Sequence, residues 1–140
     1  MSAEENKAIV RRYREIHNSN NLVGLDQIVD VNIVSHSGVP GMPPGLEGGK
    51  MVHNMFLSAF PDSQVTTDDL IADGDEVVER FTFRGTNKGS FMGAPPTGKQ
   101  VTATGMSVFR IANGKIVEHW GENDSLGVMQ QLGLVPMPGA

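Results

Sequence analysis

The stretch VTATGMSVFRIANGKIVEHWGEN, residues 101–123, decides the fold. From Val101 to Ile111 it is rich in β-branched and aromatic residues, which suit a pleated, half-buried surface. Asn113-Gly114 then sets side by side two residues that tolerate positive φ, so the chain can reverse in a tight hairpin. The returning strand runs from Lys115 to about Asn123. Strand side chains alternate, so His119 and Trp120 emerge on opposite faces, while Trp120, Glu122 and Asp124 share one parity.

Upstream of this hairpin the pattern is also that of strands. Val77 to Thr86 follows the turn Asp73-Gly74-Asp75, and Val65 to Ile71 precedes it. Pro61-Asp62 ends a helical pattern over about residues 46–60, where Met51, Val52, Met55, Phe56, Ala59 and Phe60 form an apolar arc opposite Lys50, Asn54 and Ser58. Pro40, Pro43 and Pro44 make residues 38–45 a loop, because each removes a backbone donor and fixes φ. A brief extended piece at Ile33, Val34 and His36 comes before it, and a short helix from Leu22 to Val29 before that.

Ser2 and Glu5 have capping-box spacing. Behind them Ile9, Val10, Tyr13, Ile16 and His17 fall on one face of a helix over about residues 3–18, with Arg11, Arg14 and Glu15 assigned to the opposite side. A last short helix holds Leu126, Met129 and Leu132. Helices first and then an antiparallel meander predict an α+β fold: a curved, mostly antiparallel sheet packed by three N-terminal helices into a cone-shaped barrel. Its concave face is a natural cavity for a small molecule. With no internal repeat and no boundary signal, residues 1–140 read as a single domain.

Composition narrows the chemistry. The chain has no cysteine, so disulfides, thiolate metal sites and cysteine nucleophiles are excluded. A net charge of −5 argues against non-specific nucleic-acid binding, which needs Lys and Arg to displace phosphate counterions. No apolar run approaches the ~20 residues of a membrane span, no basic amphipathic helix is present, and the N-terminus lacks the layout of a signal peptide. A cytoplasmic protein with a small molecule or another protein as partner is expected.

Gly93-Ala94-Pro95-Pro96-Thr97-Gly98-Lys99 imitates a phosphate-binding loop, but Pro95 and Pro96 lack the N–H groups that cradle phosphate and a strand follows. It reads as a rigid turn. His17, His36, His53 and His119 show no metal-ligand spacing, and no metal is expected; His17 and His53 lie on or beside apolar helix faces and fit a core or cavity wall. Asp124, just before Ser125 and Leu126, fits either a helix N-cap or an acid/base group whose pKa an apolar wall would raise. Arg80 shares the parity of Val78, and both a cavity-facing and a solvent-facing register are open to it.

Several of these features occur together in a recognisable order: His36, Phe60-Pro61-Asp62, Asp73-Gly74-Asp75, Arg80, Gly85-Thr86, Pro95-Pro96-Thr97-Gly98, Asn113-Gly114-Lys115-Ile116-Val117-Glu118, Trp120, Asp124 and Gln130-Gln131-Leu132-Gly133. Over nearly its whole length the chain resembles the SnoaL-like polyketide (ester) cyclases of the nuclear transport factor 2-like superfamily. The resemblance implies a cone-shaped α+β domain, a homodimer formed through the outer sheet face, a deep apolar cavity and no cofactor. In such cyclases an aspartate on the last strand moves protons during an intramolecular aldol closure, and Asp124 occupies the matching place. They also use a histidine on the preceding strand, where this chain has Met106, Ser107 and Val108; His36 is the expected substitute. Trp120, Arg80, Met106, Met55, Phe56 and His53 are the expected substrate contacts. The function implied is a cofactor-independent cyclase or isomerase of a polyketide-like or other apolar carbonyl compound. The alternative is a binding or dimerising domain of the same fold.

Overall fold

The computed structural model describes residues 2–36 and 39–136. Helix α1, Ala3–Ser19, begins on the capping box: the Glu5 N–H donates to Ser2 Oγ and the Ser2 N–H to Glu5 Oε1, both at 3.1 Å. It ends where Asn20 takes a left-handed conformation, φ 61°. A short 3-10 segment, Leu22–Gln27, follows, so the helix expected as far as Val29 stops early. The reason is strand β1, Val29–Ser35, which draws Val29 into the sheet beside Ile116. Of the proline-rich loop expected over 38–45, Gly38 lies outside the described residues, and helix α2, Gly45–Ala59, comes next.

Strands β2, Gln64–Asp73, β3, Glu76–Thr86, β4, Gln100–Ala112, and β5, Lys115–Asn123, form the expected antiparallel meander, and α3, Ser125–Gln131, closes the described chain. Asn113 and Gly114 both take positive φ in the β4–β5 turn, 53° and 78°. The order β1-β5-β4-β3-β2 puts β1 beside β5, in parallel, across a crossover that contains α2. The sheet is therefore mixed, curved and not closed, with β1 and β2 as its edges. Helix α1 packs against β2 and β3, α2 against β1, and α3 against β4.

One face of the sheet is thereby covered. Val77, Glu79, Phe81, Val101, Ala103, Ser107, Phe109 and Ile111 are buried there. Two apolar clusters hold it together. Val10, Leu25, Val29, Leu46, Phe109 and Ile116 belong to one; Ala59, Phe60, Phe91, Val101 and Leu132 belong to the other. Between them the covered face is hollow, and residues of both clusters contribute to the wall. Among the described residues no helix is long and apolar enough to cross a membrane.

Candidate functional site

The hollow has a volume of about 1270 Å³ and a mostly apolar wall, including Phe56, Phe81, Phe83, Phe91 and Phe109. A cavity of this size exceeds what a drug-sized ligand needs. Among its polar groups are Tyr13, Arg14, His17 and Asn18 of α1, His53 of α2, and His119 and Asn123 of β5. Strand pairing explains the last two. His119 stands opposite Phe109, Gly121 opposite Ser107 and Asn123 opposite Gly105, so this parity of β5 faces the helices. Gly105 leaves room for it: a Cβ there would lie 2.5 Å from Phe81 Cζ and 2.7 Å from Asn123 Oδ1.

Burial sets the protonation of the histidines. Loss of water is the largest cause that lowers His17, to about 3, and His119, to about 4; the nearby Arg14 charge lowers both further. His53 is lowered for the same two reasons. At neutral pH His17 and His119 are uncharged imidazoles. The tautomer of His17 follows from its contact, because Nδ1 lies 2.9 Å from the Tyr13 carbonyl oxygen, which can only accept. Nδ1 therefore carries the hydrogen and Nε2 is left with its lone pair. The His17 ring packs against Tyr13 and His53, with centroids 4.1 and 5.0 Å away. His119 Nε2 lies 3.1 Å from Ser107 Oγ.

Beside these rings is a buried ion pair. Arg14 Nε and Nη2 donate to Glu79 Oε2 and Oε1 at 3.0 and 2.6 Å, and Thr67 Oγ1 donates to Oε2 at 2.7 Å. Arg14 was expected on the outward side of α1. It faces inward because it follows Val10 by four residues and precedes His17 by three, which is the spacing of one helical face. Burial alone would pull its pKa down, but the Glu79 hydrogen bonds and charge outweigh that and hold it above the ordinary value.

The residues expected at the site divide sharply. Met55, Phe56 and His53 of α2 line the cavity. Trp120, Met106 and Arg80 do not: Arg80 pairs with Met106 and Met106 with Glu122 on the outer face, where Trp120 also emerges opposite Val108. His36 is outside too. Its ring stacks on Trp120 at 4.8 Å, and Nε2 donates to Glu118 Oε2 at 2.6 Å. The common parity of Trp120 and Glu122 holds, but it points away from the cavity. The inward residues His119, Asn123, Arg14 and Glu79 were missed; the i, i+3, i+4 relation of Arg14 to Val10 and His17 was the available signal. Among the described residues no group of three or more His, Asp or Glu side chains is arranged to hold a metal ion.

The sequence profile of the SnoaL-like polyketide cyclases matches residues 7–132. The chain belongs to the SnoaL-like polyketide cyclase family. Solved structures agree with this family and with the nuclear transport factor 2-like cone. TsrD from Streptomyces laurentii is 27% identical, with 96% of this chain and 99% of that chain covered and a TM-score of 0.88. AclR from Streptomyces galilaeus, a candidate hydroxylase, is 30% identical over 96% and 100% of the two chains, TM-score 0.85. IdmH from Streptomyces antibioticus, a candidate polyketide cyclase, is 33% identical over 91% and 98%, TM-score 0.80. A search of the curated proteins finds no match.

Within this SnoaL-like chain, the aspartate at the position expected to move protons has a different contact. Asp124 is exposed at the end of β5, and its Oδ1 accepts the Gly127 N–H at 2.9 Å as the N-cap of α3. Its neighbours Asn123, Ser125 and Leu126 line the cavity, whereas Asp124 is outside the lining. The cap reading of Asp124 is the one its hydrogen bond supports, because an unpaired backbone N–H in the first helical turn draws a nearby carboxylate.

Proposed function

We propose that this SnoaL-like protein is a cofactor-independent cyclase or isomerase of a polyketide-like or other apolar carbonyl compound, with proton transfer carried by imidazoles on the cavity wall. The observation that carries the reading is His17: a neutral ring in an apolar cavity, its Nδ1 hydrogen committed to the Tyr13 carbonyl and its Nε2 left to accept. Nε2 takes a proton from the carbon beside a substrate carbonyl. The electron pair left behind delocalises onto the carbonyl oxygen as an enolate. Attack of that carbon on a second carbonyl closes a ring, and the proton returns to the new alkoxide; return to a different carbon isomerises the substrate instead. His119 with Ser107 is the second proton-relaying group.

A second reading makes Asp124 the acid/base group. It is supported by the position of Asp124 in the family pattern and by the presence of Asn123 and Ser125 on the cavity wall. One experiment separates the two. Apolar 1,3-dicarbonyl compounds are screened by thermal shift, and turnover of a binder is followed in wild type, His17→Gln, His119→Gln and Asp124→Asn. The expected result is a loss of about 10²- to 10⁴-fold in kcat for His17→Gln with Asp124→Asn near wild type. Full activity in His17→Gln with loss in Asp124→Asn transfers the role to Asp124. Binding without turnover in the wild type makes the protein a carrier.

A homodimer through the outer sheet face belongs to the same proposal. Ile71, Val78, Val108 and Trp120 stand in register there as one apolar row across four strands, with Ile71 58% exposed and Met106 beside the row 53% exposed. Sedimentation velocity of wild type and Val108→Lys tests it: a dimer that the substitution dissociates is expected, and a wild-type monomer overturns it.

A further inference from the structure

Arg14 is built more rigidly than a wall residue needs to be. Two of its three guanidinium nitrogens are tied to Glu79, which is fully buried and also held by Thr67. Its Cζ lies 5.5 Å from the Tyr13 ring centroid and 5.3 Å from that of Phe81, so aromatic side chains restrain the group as well. The remaining nitrogen, Nη1, meets no acceptor among the described residues. Arg14 nonetheless lines the cavity, with 15% of its side chain exposed. An oxygen delivered to that open guanidinium N–H gains a charge-assisted hydrogen bond.

The geometry points to Arg14 Nη1 as the subsite that holds the substrate oxygen on which negative charge develops, which makes the cavity selective for enolisable or enolate-bearing ligands over neutral ligands of the same shape. This inference rests on the proposed proton transfer in the cavity and names the group that receives the resulting charge. Glu79 balances the charge of Arg14 but accepts from Nε and Nη2, which leaves Nη1 on the other side of the guanidinium. The positive end of the pair is thus the end offered to the cavity. The histidines respond in the same sense: Arg14 lowers His17, His53 and His119, while Glu79 opposes it at His119 alone. A fixed positive charge of this kind weakens the imidazole as a base and stabilises the enolate formed when that base takes the proton. Since the donor is already aimed, little reorganisation is needed at that moment.

The test compares two probes of nearly equal shape, 2-hydroxy-1,4-naphthoquinone, which is ionised at pH 7, and its methyl ether, 2-methoxy-1,4-naphthoquinone. Calorimetric titration of the wild type is expected to show the hydroxy compound binding at least tenfold more tightly. The double substitution Arg14→Met with Glu79→Gln removes both charges together and is expected to bring the ratio close to one while the ether keeps its affinity. Arg14→Lys, which leaves Glu79 a cationic partner, serves if the double variant does not fold, and a large fall in the ratio is expected there too. A wild-type ratio near one, or a tenfold ratio that survives the substitution, overturns the Arg14 subsite while ether binding keeps the cavity reading alive. If neither probe binds the wild type, the subsite and the cavity reading fail together.

Discussion

Two arginine–glutamate pairs lie on opposite faces of the same sheet. Inside, Arg14 and Glu79 meet at 2.6 Å with side-chain exposures of 15% and 0%. Outside, Arg110 and Glu118 meet at 2.8 Å with exposures of 38% and 21%, and His36 adds a second donor to Glu118. Distance and chemistry are almost alike, and the surroundings differ. Water screens and replaces the outer contacts, so losing one is easily made good. The inner pair has exchanged its hydration for one another and for Thr67, so neither member can be lost alone. The same contrast separates His119, driven to about 4 by burial, from Trp120 one residue along, which stacks on His36 at the surface. Residue type therefore does not locate the chemistry of this protein; the covered face does.

The sharpest way to break the comparison is Glu79→Ala. It leaves Arg14 charged and without its carboxylate in the cavity wall, and a loss of about 3–5 kcal/mol in urea unfolding is expected. A midpoint close to wild type would mean that water reaches Arg14 freely and that the two faces are not so different.

Acid probes the inner face next. His17 and His119 are held at about 3 and about 4 in the folded chain against 6.5 when unfolded. Between these values the unfolded chain binds protons that the folded chain refuses, so the stability from keeping both rings neutral is complete above about pH 6.5. It drains away as pH falls towards 4 and then 3. Each histidine contributes a slope of up to ~1.4 kcal/mol per pH unit in that window. Urea midpoints measured from pH 7.5 to 5, above most carboxylate titration, are expected to fall in wild type and to fall less steeply in the double variant His17→Gln with His119→Gln, where His53 keeps a share of the slope. An equal slope in both would place those rings in contact with water.

The smallest effect is expected on the outer face. Glu118→Ala removes the partner of both His36 and Arg110, yet at a protein concentration low enough to keep the chain monomeric the urea midpoint should stay within error of wild type. A clear loss in the monomer would show that water does not make good the outer contacts and that the two faces are more alike than their exposures suggest.

Much of the fold could be read locally. The Ser2–Glu5 capping box, the Asn113-Gly114 turn and the alternation along β3, β4 and β5 all depend on neighbours a few residues apart, and each took its expected form. The candidate site was harder to read. His53, Met55 and Phe56 line the cavity on the apolar arc that α2 shows plainly, whereas Trp120 and Met106, expected as cavity contacts, emerge on the outer face, as does Arg80, for which both registers were open. A period of two gives each strand two equivalent faces, and the choice between them is global. Arg14 was misread for a related reason: its charge concealed a position that its spacing from Val10 and His17 puts on the inner side.

What the sequence determined by itself was the set of elements, their turns and caps, and the pairs of residues that must share a face or oppose one another. Only the tertiary structure decided which of those faces is dry. Burial is produced by segments far apart in the chain: α1 packs on β2 and β3, α2 on β1 and α3 on β4, and Arg14 finds Glu79 across 65 residues. Desolvation then holds His119 neutral, because the cost of a charge depends on the water around it and that water is excluded only when distant elements close over the same spot.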